Sequence, residues 1–183
     1  KLKVNYYDSL MTKENNFDRH QAWTMSRAWN PKKMQWIYGG GAQDCAAEPM
    51  KTLPEDDVEI TLFTDKDIFS PMVSQVNTKY KVVYISECRS IHPFAYNHAV
   101  MAEDNFDFIF THDQELLDRG PKYVKTVLGT SWLDDDEAAI YNKTKMLSHI
   151  ASVNKWSRGH NLRHKIGDAI RGKYEVDFWG SAY

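Results

Sequence analysis

Short apolar and β-branched runs alternate along the chain with stretches of helical periodicity. LKVNYY (2–7), VEITLF (58–63), KVVYIS (81–86), FDFIFT (106–111) and YVKTVL (123–128) read as strands. Residues 17–29, 68–77, 93–103 and 114–119 carry helix-like patterns between them. Pro71 and Pro93 suit first helical turns, Asp113 is placed to cap the short helix at 114, and Gly120-Pro121 ends it. Strands alternating with helices predict an α/β fold, a Rossmann-like or flavodoxin-like parallel sheet with helices on both faces. The stretch after QWIY, with Gly39-Gly40-Gly41, Pro49 and Pro54, reads as loop.

An acidic run at 134–137 breaks the rhythm, which then restarts. Residues 145–152 read as a strand, 159–171 as a helix and 175–179 as a second strand; Leu162, Ile166, Ala169 and Ile170 recur at helical spacing. One β-α-β unit is too small to bury its own sheet. The expected organisation is therefore a Rossmann-like domain over 1–140 and the opening β-α-β unit of a second such domain over 141–183. Residues 145–183 are expected to pack back on the first domain or to pair with a second copy of the chain, as a homo-oligomer.

Composition narrows the function classes. The 183 residues are 42% hydrophobic and 26% charged, the mix of a globular protein with a real core. A net charge of −2 with scattered basic residues argues against nucleic acid as a partner. No apolar run reaches the length of a membrane span. Cys45 and Cys88, far apart in sequence, suggest a reducing compartment and a cytoplasmic location.

Candidate chemistry gathers where predicted strands end. KVVYIS delivers Glu87, Cys88 and Arg89 to the C-terminal end of a strand, where ligands of open α/β sheets bind. Glu87, flanked by Arg89 and His92, has the chemistry of a general base at a hydroxyl; a surface Glu paired with a neighbouring Arg fits the same residues. FDFIFT ends at Thr111, His112 and Asp113, and Asp65 ends an earlier strand. These with His92 suggest a metal-dependent phosphoesterase, although a helix cap with polar loop residues explains them as simply. The acidic run and the triple glycine carry no stronger motif. Ser152 and Asn154 follow a strand, and Arg158, His160, Arg163 and His164 crowd the start of a helix. Such a turn can hold a phosphate or be a solvated basic face.

Several of these segments occur together in a familiar order: EITLFTD, KVVYISECRSIHPFAY, FDFIFTHDQELL, LGTSW, and YNKTKMLSHIAS…GHNLRHKI…VDFWGSAY. From about Val58 to Tyr183 the chain resembles fucosyltransferase-like glycosyltransferases of the GT-B architecture, which include viral and bacterial surface-sugar transferases. The resemblance implies two Rossmann-like domains facing a cleft, the first for a glycan acceptor and the second for a nucleotide-sugar such as GDP-fucose. It implies an inverting, metal-independent transfer with no cofactor. Glu87 matches the family's glutamate base, although Cys88-Arg89 after it departs from the family's pattern; Arg89, His92 and His112 are expected on the acceptor side. Ser152, Asn154, Arg163 and Gly180 match the donor and phosphate side. The family's later Tyr-Lys-Phe, Glu-Asn and Thr-Glu-Lys elements have no counterpart in these 183 residues. The resemblance thus implies a chain that stops early in the donor domain, and weak or no nucleotide-sugar binding by this stretch alone. A non-catalytic α/β domain that binds a sugar or a protein is the remaining alternative.

Overall fold

A computed structural model describes residues 2–8, 34–38, 57–126 and 139–183, the stretch 34–38 by its backbone. The predicted helix at 17–29, the glycine run at 39–41 and the acidic run at 134–137 lie outside the described residues. The chain divides into two compact units, Lys1–Trp132 and Leu133–Tyr183.

The first unit is built on six parallel strands: β1 (Leu2–Tyr7), β2 (Met34–Tyr38), β3 (Ile60–Thr64), β4 (Tyr80–Tyr84), β5 (Phe108–Thr111) and β6 (Tyr123–Lys125). Their order is β2-β1-β3-β4-β5-β6. It is the doubly wound order of flavodoxin-like sheets extended by one strand, with the switch point between β1 and β3. The α/β class read from the sequence is therefore the observed one.

Period-two alternation divides the core. Tyr7, Phe63, Val83, Ile85 and Ile109 fall in one buried cluster, and Val4, Tyr6, Leu62 and Val82 in the other. The first cluster also takes in the described helices. Among them are a 3₁₀ turn (Asp65–Phe69), α1 (Met72–Gln75), α2 (Pro93–Met101) and α3 (Gln114–Leu117). Phe63 is fully buried there, its ring 5.5 Å from Tyr7 and 5.9 Å from Phe106. On α2, Ala95, Tyr96 and Ala99 are buried, whereas Phe94 and Met101 face outward.

Several boundaries shift for local reasons. The helix expected over 68–77 is two pieces, because Pro71 has no N–H to continue a preceding turn and instead sits just before α1. β5 starts at Phe108, two residues later than the apolar run. Asp107 stands at its mouth, its N–H donating to the Lys81 carbonyl at 2.8 Å and its Oδ2 accepting from the Lys81 N–H at 2.8 Å. β2 falls on MQWIY, a segment outside the strands that the sequence pattern predicts.

The second unit is one parallel β-α-β. It comprises β7 (Leu147–Ile150), α4 (Arg158–Ile170) and β8 (Val176–Trp179), with Leu147 opposite Val176 and Ile150 opposite Trp179. Ser157 caps α4 reciprocally: its Oγ accepts from the His160 N–H at 3.2 Å, and its own N–H donates to His160 Nδ1 at 3.3 Å. No helix among the described residues is long and apolar enough to cross a membrane.

Candidate functional site

In the first unit, the polar groups singled out from the sequence converge at the C-terminal edge of the sheet. Asp65, the residue after β3, is 8% exposed and has φ of 24°, a left-handed backbone rare outside glycine. Its carboxylate binds the loop that follows β4. Oδ1 accepts from the N–H groups of Ser86 (2.9 Å) and Glu87 (3.2 Å), and Oδ2 from the Ser86 hydroxyl (2.5 Å). Tyr96 of α2 donates its hydroxyl to the Glu87 carbonyl at 2.5 Å. The backbone of Glu87 is thereby anchored on both sides while its side chain stays exposed.

Burial first, and then the charge of Asp113, push the Tyr96 phenol up to about 12, so it remains a donor across the neutral range. Arg89 lies over the Tyr96 ring, 4.5 Å from its centroid. It also grips Asp113 with two bonds, Nε to Oδ2 at 2.7 Å and Nη2 to Oδ1 at 2.8 Å, and reaches Glu115 at 2.8 Å. Asp113 caps α3 by accepting from the Leu116 N–H at 3.1 Å, as its sequence position predicts. His112 sets its ring edge-on to Tyr96 at 6.5 Å, and its buried Nδ1 has no hydrogen-bond partner. His92 immediately precedes α2, half-buried, with its N–H on the Cys88 carbonyl at 3.0 Å.

Arg89, His112 and Glu87 therefore share one centre, Tyr96. His92 joins them through the backbone of the same loop. Arg89 is committed to Asp113, Glu115 and the Tyr96 ring, which makes it a latch between the β4 loop and α3. Among the described residues, no group of three or more His, Cys, Asp or Glu is arranged to hold a metal ion. Asp65 and Asp113, two of the four residues a phosphoesterase would use, already spend their oxygens on Ser86, Glu87, Arg89 and Leu116.

The latch carries a pH signature. Arg89 holds the Asp113 carboxyl below its usual range, against the opposing effect of burial. A depressed carboxylate stabilises the fold above its unfolded pKa of about 3.9 and ceases to do so as pH falls through the folded value. Asp113→Asn should accordingly be less stable than wild type in denaturant at neutral pH, with the gap closing as pH falls below the unfolded carboxylate pKa. A gap independent of pH would show that the latch acts by packing alone.

The second unit places its candidates differently. Ser152 and Asn154 follow β7 and Gly180 follows β8, so parallel pairing brings all three to one edge, beside the start of α4. Gly180 has a steric reason to be glycine. Its φ is 96°, and a Cβ there would lie 2.2 Å from the Ala151 carbonyl oxygen. The turn after it folds onto β7, with Ala182 N–H on the Ala151 carbonyl at 3.2 Å and Val153 N–H on Ser181 Oγ at 3.2 Å. The Asn154 carbonyl meets His164 Nε2 at 3.2 Å. Arg163 is exposed in mid-helix, and its carbonyl accepts from His149 Nε2 at 2.9 Å. That bond fixes the proton on Nε2 in neutral His149 and leaves Nδ1 to accept from the Tyr183 hydroxyl at 3.3 Å.

Gly180→Ala should therefore destabilise the second unit by about 1–3 kcal/mol. Faster hydrogen exchange at the Ala182 amide would register it, and wild-type protection there would contradict the close approach.

No family model, no curated protein and no solved structure matches this chain.

Two features of the first site escaped the sequence reading. Tyr96 was one aromatic in a helical pattern, and only its burial beside Ala95 and Ala99 shows that it faces the β4 loop. Asp65 stood among metal candidates, whereas its carboxylate positions the backbone at Ser86 and Glu87, across a separation of 21 and 22 residues.

Proposed function

We propose that this chain carries the acceptor-side base and the first donor-side elements of an inverting glycosyltransferase. The reaction is transfer of a fucose-like sugar from a GDP-fucose-like donor to a glycan acceptor, without a metal ion. The observation that carries the reading is the anchoring of Glu87, an exposed carboxylate at the C-terminal edge of a doubly wound sheet, fixed through its backbone by a buried Asp and a buried Tyr. The sequence resemblance supports it independently.

In this reading Glu87 takes the acceptor hydroxyl proton as that oxygen attacks the anomeric carbon. The bond to the nucleotide diphosphate breaks, and the diphosphate leaves with the electron pair. Attack from the opposite side inverts the anomeric centre. The leaving group needs positive charge and N–H donors. Arg163 and the first turn of α4, beside Ser152, Asn154 and Gly180, supply chemistry of that kind. Ser157 already occupies the His160 N–H, so the N–H groups of Arg158 and Gly159 are those available to an anion.

The phosphoesterase alternative would require Asp65 and Asp113 to give up their present partners, and no observation favours it. A nucleotide titration of the full-length wild type and its Arg163→Ala variant tests the donor assignment. Loss of one charge-assisted phosphate contact is worth about 1.5–3 kcal/mol, roughly a tenfold to hundredfold weaker Kd for GDP. Unchanged GDP affinity in that variant would remove Arg163 from the donor site.

A further inference from the structure

A cavity of the first unit is lined by Lys79 and Lys81 at the start of β4 and by Phe69 at the end of the 3₁₀ turn, and Glu87 is not among its lining residues. It is open to solvent with a volume of about 590 Å³, and Phe69, Ser74, Lys79, Lys81, Asp104 and Asp107 are among its lining residues. That volume falls inside the range of about 300–1,000 Å³ found for small-ligand sites.

The chemistry of its lining selects a class of ligand. Two lysines, Lys79 and Lys81, match two aspartates, Asp104 and Asp107, so the lining residues sum to no formal charge, and the Lys79 ammonium also pairs with Glu59 at 3.9 Å. Lys81 is further tied down by donating to the Val73 carbonyl at 2.6 Å. Asp107 uses Oδ2 on the Lys81 N–H, leaving Oδ1 as an acceptor. Asp104 and the side-chain amide of Asn105, another lining residue, are exposed on the short 3₁₀ turn Glu103–Asn105. Phe69 is 47% exposed, with one part of its ring against His98 at 4.3 Å.

An aromatic surface beside carboxylate acceptors and an amide, at zero net charge, is complementary to a neutral polyhydroxylated ligand. The hydroxyls of such a ligand would donate to Asp104 and Asp107 and accept from Asn105, with the apolar C–H face of a sugar ring on Phe69. We infer that this cavity is a saccharide-binding site separate from the Glu87 edge. It does not depend on the transferase reading, because it asks only for binding.

The test is a ¹⁵N–¹H NMR titration of the protein with methyl glycosides of fucose, galactose, glucose and N-acetylglucosamine, with inorganic phosphate and putrescine as charged controls. At least one glycoside should give saturable shifts at the amides of Ser74, Lys79 and Asn105 with a millimolar Kd. Glu87→Gln should bind it equally well. Phe69→Ala and the fully surface-borne Asp104→Ala should each weaken binding at least tenfold while leaving the rest of the spectrum in place. No saturable shift from any glycoside, or shifts from phosphate or putrescine alone, would overturn the inference. Undiminished binding by Asp104→Ala would do the same.

Discussion

Glu87→Gln is expected to lower sugar transfer by about 10²–10⁴-fold while leaving the fold and its thermal unfolding unchanged. The amide keeps the size and much of the polarity of the carboxylate but cannot take a proton from an acceptor hydroxyl. Both bonds that set the loop belong to the Glu87 backbone, its N–H on Asp65 and its carbonyl on Tyr96, so the substitution leaves them in place. The loss should fall on kcat with little change in KM, since the base acts in the transition state. Turnover near wild type in the full-length protein would dismiss Glu87 as the base.

Asp65→Ala should produce the largest loss of stability at this edge. It strips the acceptor from two backbone N–H groups and from the Ser86 hydroxyl at a site where Asp65 itself is 8% exposed. Unsatisfied donors of this kind, bound until then to a charged acceptor, cost about 2–4 kcal/mol together. Alanine also inherits the φ of 24°, which it tolerates poorly. Asp65→Asn should be much milder, because one amide oxygen can still accept from both N–H groups and the Ser86 hydroxyl can turn to accept from the amide. Denaturant unfolding of the two variants separates the cases. Equal, small effects would mean that the carboxylate is not what holds the β4 loop. If the loop is held this way, Asp65→Ala should also reduce transfer, through Glu87 losing its position.

How legible this was in the sequence depends on the range of the interaction. The strands β3, β4 and β5 could be read because Leu62, Phe63, Val82, Val83 and Ile109 follow the pattern that sheet burial demands. Asp113 was legible as a cap because the Leu116 N–H it serves is three residues away. β2 was not legible because its pairing with β1, Leu2 opposite Met34, joins segments far apart in sequence. The same limit hid the roles of Asp65 and Tyr96, whose partners lie across a loop or on another element. The same holds for the steric role of Gly180. A glycine after a strand suggests a ligand loop, and only the fold shows that the Ala151 carbonyl also leaves no room for a side chain there.

The cluster at the first edge explains why Glu87 can be both exposed and fixed in place. Tyr96 packs under Arg89, donates to Glu87 and meets the edge of His112, and Arg89 carries the arrangement on to Asp113 and α3. A base that must meet an acceptor hydroxyl within hydrogen-bond reach benefits from a backbone held by several elements at once.

The central claim is tested most directly by following the anomeric configuration of the product. The full-length protein, with a chelator present, would be given nucleotide-sugars including GDP-fucose and GDP-mannose together with a glycan acceptor panel, and the product linkage read by NMR. The account predicts transfer with inversion at the anomeric carbon, unaffected by the chelator and lost in Glu87→Gln. Retention of configuration, dependence on a divalent ion, or saccharide binding with no transfer from any donor would contradict it.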